Sequence, residues 1–219
     1  MQVNSYNNYN KNQISFGSKR ILPVIVKDMN NKPVKAWFSR LRLSDPMDVD
    51  KMKKAQNWID FNIYCAFQDG KPIYAIEKDS PSSNSPGKLM CIATTKSIEN
   101  SFYFDFIQSA PNCSSRSEEK RQFKGVGTAL MYGLVRFAEK SKAKWFSLTS
   151  VAEANSFYQK MDMQKINGMW QFDEAGMHNF IKKQRGKEFK VILPKKPERI
   201  KPKSFIDRIK TVISFQNKP

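Results

Sequence analysis

The sequence predicts a mixed α/β (α+β) fold: a central sheet of about six or seven strands flanked by helices, and not a doubly wound one. Two observations predict it. In the first half, strand-type runs are separated by short turn signals, so those strands pair antiparallel. In the second half, a strand-like run at 102–109 leads into a helical pattern and then another strand-like run at 145–149. Strands joined through a crossing helix lie parallel. The 219 residues, 40% hydrophobic and 12% aromatic, suffice for one sizeable core with tails.

The elements follow in order. Residues 21–27 are apolar and β-branched, and 34–43 alternate; the Asp-Met-Asn-Asn-Lys-Pro between them reads as a hairpin turn. Asp45-Pro46 marks a helix start, with Asp48 and Asp50 suiting its positive end. Met47, Met52, Ala55, Trp58, Ile59 and Ile63 carry one or two helices to about residue 66. Asp69-Gly70 is a turn, and 72–77 is a strand. Residues 80–87, rich in Ser, Pro and Gly, form an exposed connection before strands at 89–95 and 102–109. A helix follows to about residue 142, then a strand at 145–149 and a helix at 153–160 with Phe157 and Met161 inward. The last strand or strands fall in 163–172, and a short helix in 174–184.

Charge and cysteines bound the function. The net charge is +18, but residues 182–219 hold thirteen Lys and Arg against three acids. More than half of the excess thus belongs to a tail, interrupted by Pro194, Pro197 and Pro202, which reads as an extended linker. Beyond it, Phe205, Ile206, Ile209, Val212 and Ile213 share one side of a helix, a face suited either to docking on the domain or to an acidic partner or anionic surface. Residues 1–20 read as a mobile tail, 21–185 as the domain, and 186–219 as the basic linker and amphipathic helix. Cys65, Cys91 and Cys113 show no metal-type spacing and are expected as free thiols, Cys113 at the surface. The single histidine, His178, lies far from them, so neither a Cys/His enzyme nor a metal site is expected. With no secretory signal and no transmembrane-length apolar run, the chain is read as cytoplasmic.

The most informative stretch is Gln122-Phe123-Lys124-Gly125-Val126-Gly127-Thr128, opening the helix carried by Leu130, Gly133, Leu134 and Phe137. Two glycines let backbone approach a ligand closely. A helix start presents unpaired N–H groups and a partial positive charge, so the stretch suits a phosphate or pyrophosphate.

Gln122, Gly125 and Gly127 fit the pattern (Gln/Arg)-x-x-Gly-x-(Gly/Ala). Ala154, Phe157, Tyr158 and Lys160 fit a later one, Ala-x-x-(Phe/Leu)-Tyr-x-Lys-x-Gly-Phe, with Asp162 and Met163 in place of Gly-Phe. The pair, in this order of elements over residues 102–163, resembles the GNAT superfamily of N-acyltransferases. The resemblance implies a strongly twisted sheet whose two central strands splay to admit the pantetheine arm of acetyl-CoA, the co-substrate. It implies that backbone at Ile107, Gln108 and Ser109 holds that arm and polarises the carbonyl. It further places the pyrophosphate on residues 122–128, with Lys124 near its charge, and puts Asn155, Phe157 and Lys160 along the cofactor. Tyr158 becomes the acid that protonates the departing thiolate, its phenol ionising at ~10. Asp105, the one charge in an aromatic strand and on the face of Tyr103, Ile107 and Ser109, becomes the base, with burial among aromatics raising its pKa. Glu118 and Glu119 in the 111–121 loop are rivals for that role.

Two functions follow. One is transfer of an acetyl group from acetyl-CoA to the primary amine of an unknown acceptor. The other is a GNAT-like binding module acting through its basic tail on an acidic partner, nucleic acid or membrane.

Overall fold

The computed structural model describes residues 19–79, 87–114 and 120–188. The readings of the 1–18 tail, of Glu118 and Glu119, and of the linker and helix beyond residue 188 lie outside the described residues.

Strands β1 (Lys19–Asp28) and β2 (Pro33–Leu41) form the expected hairpin. Helix α1 (Pro46–Ala55) starts at Asp45, whose carboxylate accepts the Met47 N–H at 3.0 Å. Helix α2 (Phe61–Gln68) starts likewise at Asp60, which accepts the Asn62 N–H at 2.8 Å. Then come β3 (Ile73–Lys78), β4 (Leu89–Ile98), β5 (Ser101–Ser109), β6 (Phe123–Lys124), α3 (Val126–Lys140), β7 (Trp145–Leu148), α4 (Asn155–Gln159), β8 (Gln164–Ile166), β9 (Met169–Asp173) and α5 (Glu174–Gln184). One sheet has the order β6-β1-β2-β3-β4-β5-β7-β9-β8. Its pairs are antiparallel except β5–β7, which is parallel, as the crossing helix requires. The described residues form nine strands, more than the six or seven expected. The two-residue β6, paired to Lys27 and Asp28, and the three-residue β8 are too short to show a period in sequence.

The sheet separates two apolar clusters. On one face, Leu130, Leu134 and Ala138 of α3 and Met177 and Phe180 of α5 pack on Val24, Phe38, Tyr74, Phe102, Phe104 and Phe146. On the other, Met52 and Ala55 of α1 and Ile63 and Phe67 of α2 pack on Leu41, Ile73, Ala75 and Ile92. Helix α1 is also held by charge. Buried Lys51 lies 3.1 Å from Asp48 and 2.6 Å from Glu77 on β3. Three desolvated charges tolerate each other only as a set, so the contact fixes the helix on the strand.

A β-bulge matters most for the site. Phe104 pairs with Thr95 and Phe106 with Thr94, so Asp105 is the extra residue on β5. The bulge shifts the faces. Phe102 and Phe104 point to the α3 side before it, and Ile107 joins that cluster after it. Tyr103 and Asp105 therefore do not share a face with Ile107 and Ser109, as strict alternation predicts. The bulge resets the period of two.

Helix α3 approaches the sheet closely at Gly133, where a Cβ would lie 2.3 Å from the Phe38 ring. Gly133→Ala is therefore expected to destabilise the protein by ~1–3 kcal/mol or more. Phe38→Leu in the same chain should recover part of that loss in urea unfolding. Equal stability of Gly133→Ala and wild type would show that the contact is looser than described.

Candidate functional site

The site forms where β5 and β7 part. Their ladder runs from Ser101↔Trp145 to Phe104↔Leu148 and stops, while on its other edge β5 stays paired with β4 as far as Ser109↔Cys91. One edge of the 105–109 backbone is thus released from the sheet, the geometry expected around Ile107, Gln108 and Ser109. β7 turns away because of the residues that follow it. The Asn155 side-chain oxygen accepts from Ser150 Oγ at 2.8 Å and from Trp170 Nε1 at 3.0 Å. Tyr103 and Thr149 share a hydroxyl hydrogen bond of 2.9 Å at the parting point. Asn155, expected beside a cofactor, has its oxygen committed to fixing this turn. Neither Ser150 nor Trp170 stands out in the sequence, since their roles come from contacts made across the fold.

Helix α3 begins on this side of the sheet. Gly125 precedes it in the left-handed conformation, φ +76°, where a side chain is strained. No side chain caps the helix start, and a Cβ on Gly125 would meet nothing within 4 Å. The first-turn N–H groups of Val126, Gly127 and Thr128 thus have no side-chain cap among the described residues. Gly127 differs: a Cβ there would lie 3.2 Å from the Phe157 ring, so this glycine admits an aromatic side chain of α4. Gln122 is tied to the 3-10 turn at Pro111–Cys113. Its N–H donates to the Asn112 carbonyl at 2.7 Å, and its side-chain oxygen accepts from Asn112 Nδ2 at 3.1 Å. Phe123 and Lys124 form β6, and the Lys124 ammonium reaches the Met29 carbonyl at 3.3 Å, a long, solvent-exposed contact. Lys160 is exposed.

On α4, Tyr158 is buried, Phe157 is half-buried against the core and Met161 just beyond the helix is buried, so the inward side expected of Phe157 and Met161 also takes in Tyr158. The Tyr158 ring packs 5.1 Å from Phe157 and 6.2 Å from Trp170. Burial, and then the neighbouring Cys91 thiol, push its phenol up to about 12. Cys91 itself accepts a hydrogen bond from Ser109 Oγ at 3.4 Å. Phenol, buried thiol and the end of β5 thus converge. The helix ends as the pattern demands without its glycine. Asp162 takes the left-handed conformation at φ +66°, and the Met163 N–H reaches back to the Tyr158 carbonyl at 3.3 Å. Asp tolerates that conformation better than most residues, and Met163 is buried behind it.

Asp105 lies at the bulge with its carboxylate 2.6 Å from Lys96, one fifth exposed. It is not the lone charge among aromatics that the sequence suggests. The Lys96 ammonium is raised, first by its hydrogen bond to Asp105. Cys113, expected at the surface, is buried, because the turn at 111–113 folds back onto the sheet. The three cysteines are free thiols. Among the described residues no group of His, Cys, Asp or Glu is placed to hold a metal ion, and no helix is long and apolar enough to cross a membrane.

Tyr158, Cys91 and Cys113 share one electrostatic consequence. Burial raises them to about 12, about 12 and about 11. Their ordinary values are ~10 for the phenol and ~8.5 for the thiols. The unfolded chain therefore sheds these protons first. The associated stability is whole below the ordinary values and is lost as pH rises toward the folded ones. In reductant, the urea midpoint is expected to fall between about pH 7.5 and about pH 10.5, and to fall less in Cys91→Ala. The same fall in both proteins would contradict the burial of Cys91.

No family model and no curated protein matches the sequence. Solved structures to which the chain is similar include a protein from Desulfovibrio desulfuricans described as an acetyltransferase of the GNAT family. It is 12% identical over 63% of this chain and 99% of that one, with a TM-score of 0.45. The Escherichia coli ribosomal-protein-S18-alanine N-acetyltransferase is 13% identical over 62% and 93%, with a TM-score of 0.43. The catalytic domain of the Tetrahymena GCN5 histone acetyltransferase in complex with coenzyme A is 12% identical over 60% and 78%, with a TM-score of 0.41.

Proposed function

We propose that this chain is an acetyl-CoA-dependent N-acetyltransferase that moves the acetyl group directly onto the primary amine of an acceptor. The observation that carries the reading is the release of one edge of β5 after Phe104, between an open, glycine-led helix start and a buried tyrosine. The open space at Gly125, the uncapped first turn of α3 and the free edge of 105–109 fit a long ligand with a phosphate at one end and an amide-bearing arm at the other. The N–H groups of residues 126–128 would hold the pyrophosphate, and backbone of 107–109 the arm. Bound there, acetyl-CoA supplies the activated thioester.

The chain's own groups do the rest. N–H groups on the released edge of β5 polarise the carbonyl under attack, with no reorganisation needed at that moment. Tyr158 keeps its proton throughout the neutral range. A phenol raised to about 12 is a weak acid, so it acts as a fixed donor toward the departing sulfur. Asp105 accepts the amine proton, with Lys96 orienting the carboxylate.

Two expectations follow. Gly125→Val forces a β-branched residue to φ +76° and fills the open space, so calorimetry should show acetyl-CoA affinity at least about tenfold weaker in a folded variant. Unchanged affinity would move the phosphate site elsewhere. Tyr158→Phe and Asp105→Asn should each keep acetyl-CoA affinity and lower kcat by ~10²–10⁴-fold, the usual range for acid–base groups. Wild-type kcat in either variant removes that residue's role.

A further inference from the structure

An open cavity of about 450 Å³ lies at the other side of the same sheet end, and none of the cofactor-site residues lines it. Its charged lining is entirely cationic: Lys51 and Lys54 of α1, and Lys88 just before β4. No carboxylate of the described residues lines it. Trp58 and the first residues after β5, Ala110 and Pro111, supply apolar wall, and Asn57 adds an amide.

The three lysines are not equivalent. Lys51 is buried between Asp48 and Glu77, so it sets the shape of the floor more than its charge. Lys54 is exposed and shares an ion pair of 2.7 Å with Asp50, one that solvent weakens. Lys88 is exposed and forms no ion pair among the described residues. The charges felt by the nearby Cys113 thiol are those of Lys88 and Arg121, both of which oppose the effect of burial. The field at this turn is positive.

The cavity also adjoins the proposed chemistry. Ala110 in its wall follows Ser109, which bonds Cys91 beside Tyr158. The Ala110 N–H pairs with the Met90 carbonyl, one step along the same ladder. Wall and acyl site are thus successive residues of two paired strands.

We propose that this cavity is the acceptor subsite, and that the acceptor amine belongs to a small molecule bearing an anionic group, a carboxylate or a phosphate, that Lys88 and Lys54 receive. This rests on the acetyltransferase reading. A cationic acceptor such as a polyamine is disfavoured, because the charged side chains that line the cavity among the described residues are ammonium groups.

The test uses matched amines: L-phenylalanine against L-phenylalaninamide, O-phosphoethanolamine against ethanolamine, and spermidine. Binding to the full chain is followed at the Trp58 indole resonance, assigned by Trp58→Phe, and turnover by released CoA thiol. At least one anionic member should shift Trp58 saturably, with its neutral twin at least about tenfold weaker. Carboxylate and phosphate pairs distinguish the two sources of charge. Lys88→Glu should abolish the difference between twins while leaving acetyl-CoA affinity unchanged. A Trp58 signal that no anion moves, that twins move equally, or that spermidine moves most would overturn the proposal. Absence of released thiol with every amine and of acetyl-CoA binding, with the Trp58 response intact, would instead remove the acetyltransferase reading and leave an anion site.

Discussion

The site depends on one constraint: β5 is paired along its full length on one edge and for only four residues on the other. A sheet strand normally spends both edges on its neighbours, because an unpaired backbone group away from water is costly. Here β7 is short and is pulled aside by the Ser150, Asn155 and Trp170 hydrogen bonds, so past Phe104 β5 is paired on its β4 edge alone. The bulge at Asp105 falls at that point. It adds twist and turns Ile107 and Ser109 toward the face that holds Tyr158.

The rest of the fold keeps this gap open without weakening its surroundings. Helix α3 can lie close to the sheet because Gly133 sits on Phe38, and this close contact aims its first turn toward α4. Helix α1 is fixed on the opposite face by the Asp48–Lys51–Glu77 set, which holds Lys54 and Trp58 beside the end of β5. At the chain's described end, Glu188 binds Tyr132 and Arg136 of α3. Two faces of one sheet end thereby present different chemistry: neutral thiol and phenol on one, ammonium groups on the other.

On the acetyltransferase reading proposed above, the two halves of this surface would serve the two parts of one reaction. The α3 side is dry and holds its protons, which favours fixed hydrogen-bond donors over mobile acids. The α1 side is open and charged, which favours selection among small molecules by charge. On that reading chemistry and acceptor choice can change independently, since no residue named for one lines the other.

The sequence by itself determined the order and type of nearly every element, the parallel pair, and the glycine-led helix start. These signals are local: alternation, helical period, Asp caps and the left-handed freedom of glycine each act within a few residues. The Tyr158 motif was legible for the same reason, and Asp162 substitutes for its glycine because the turn asks only for a residue that tolerates positive φ. Only the tertiary structure decided the rest. The bulge at Asp105 depends on the register of β4 against β5, so the expected shared face with Ile107 failed. Lys96 reaches Asp105 across that ladder, and Cys91 reaches Tyr158 from another strand. Cys113 is buried because a turn folds back. Each of these is a contact between residues far apart in the chain, and no local pattern encodes where a distant strand will place its neighbour.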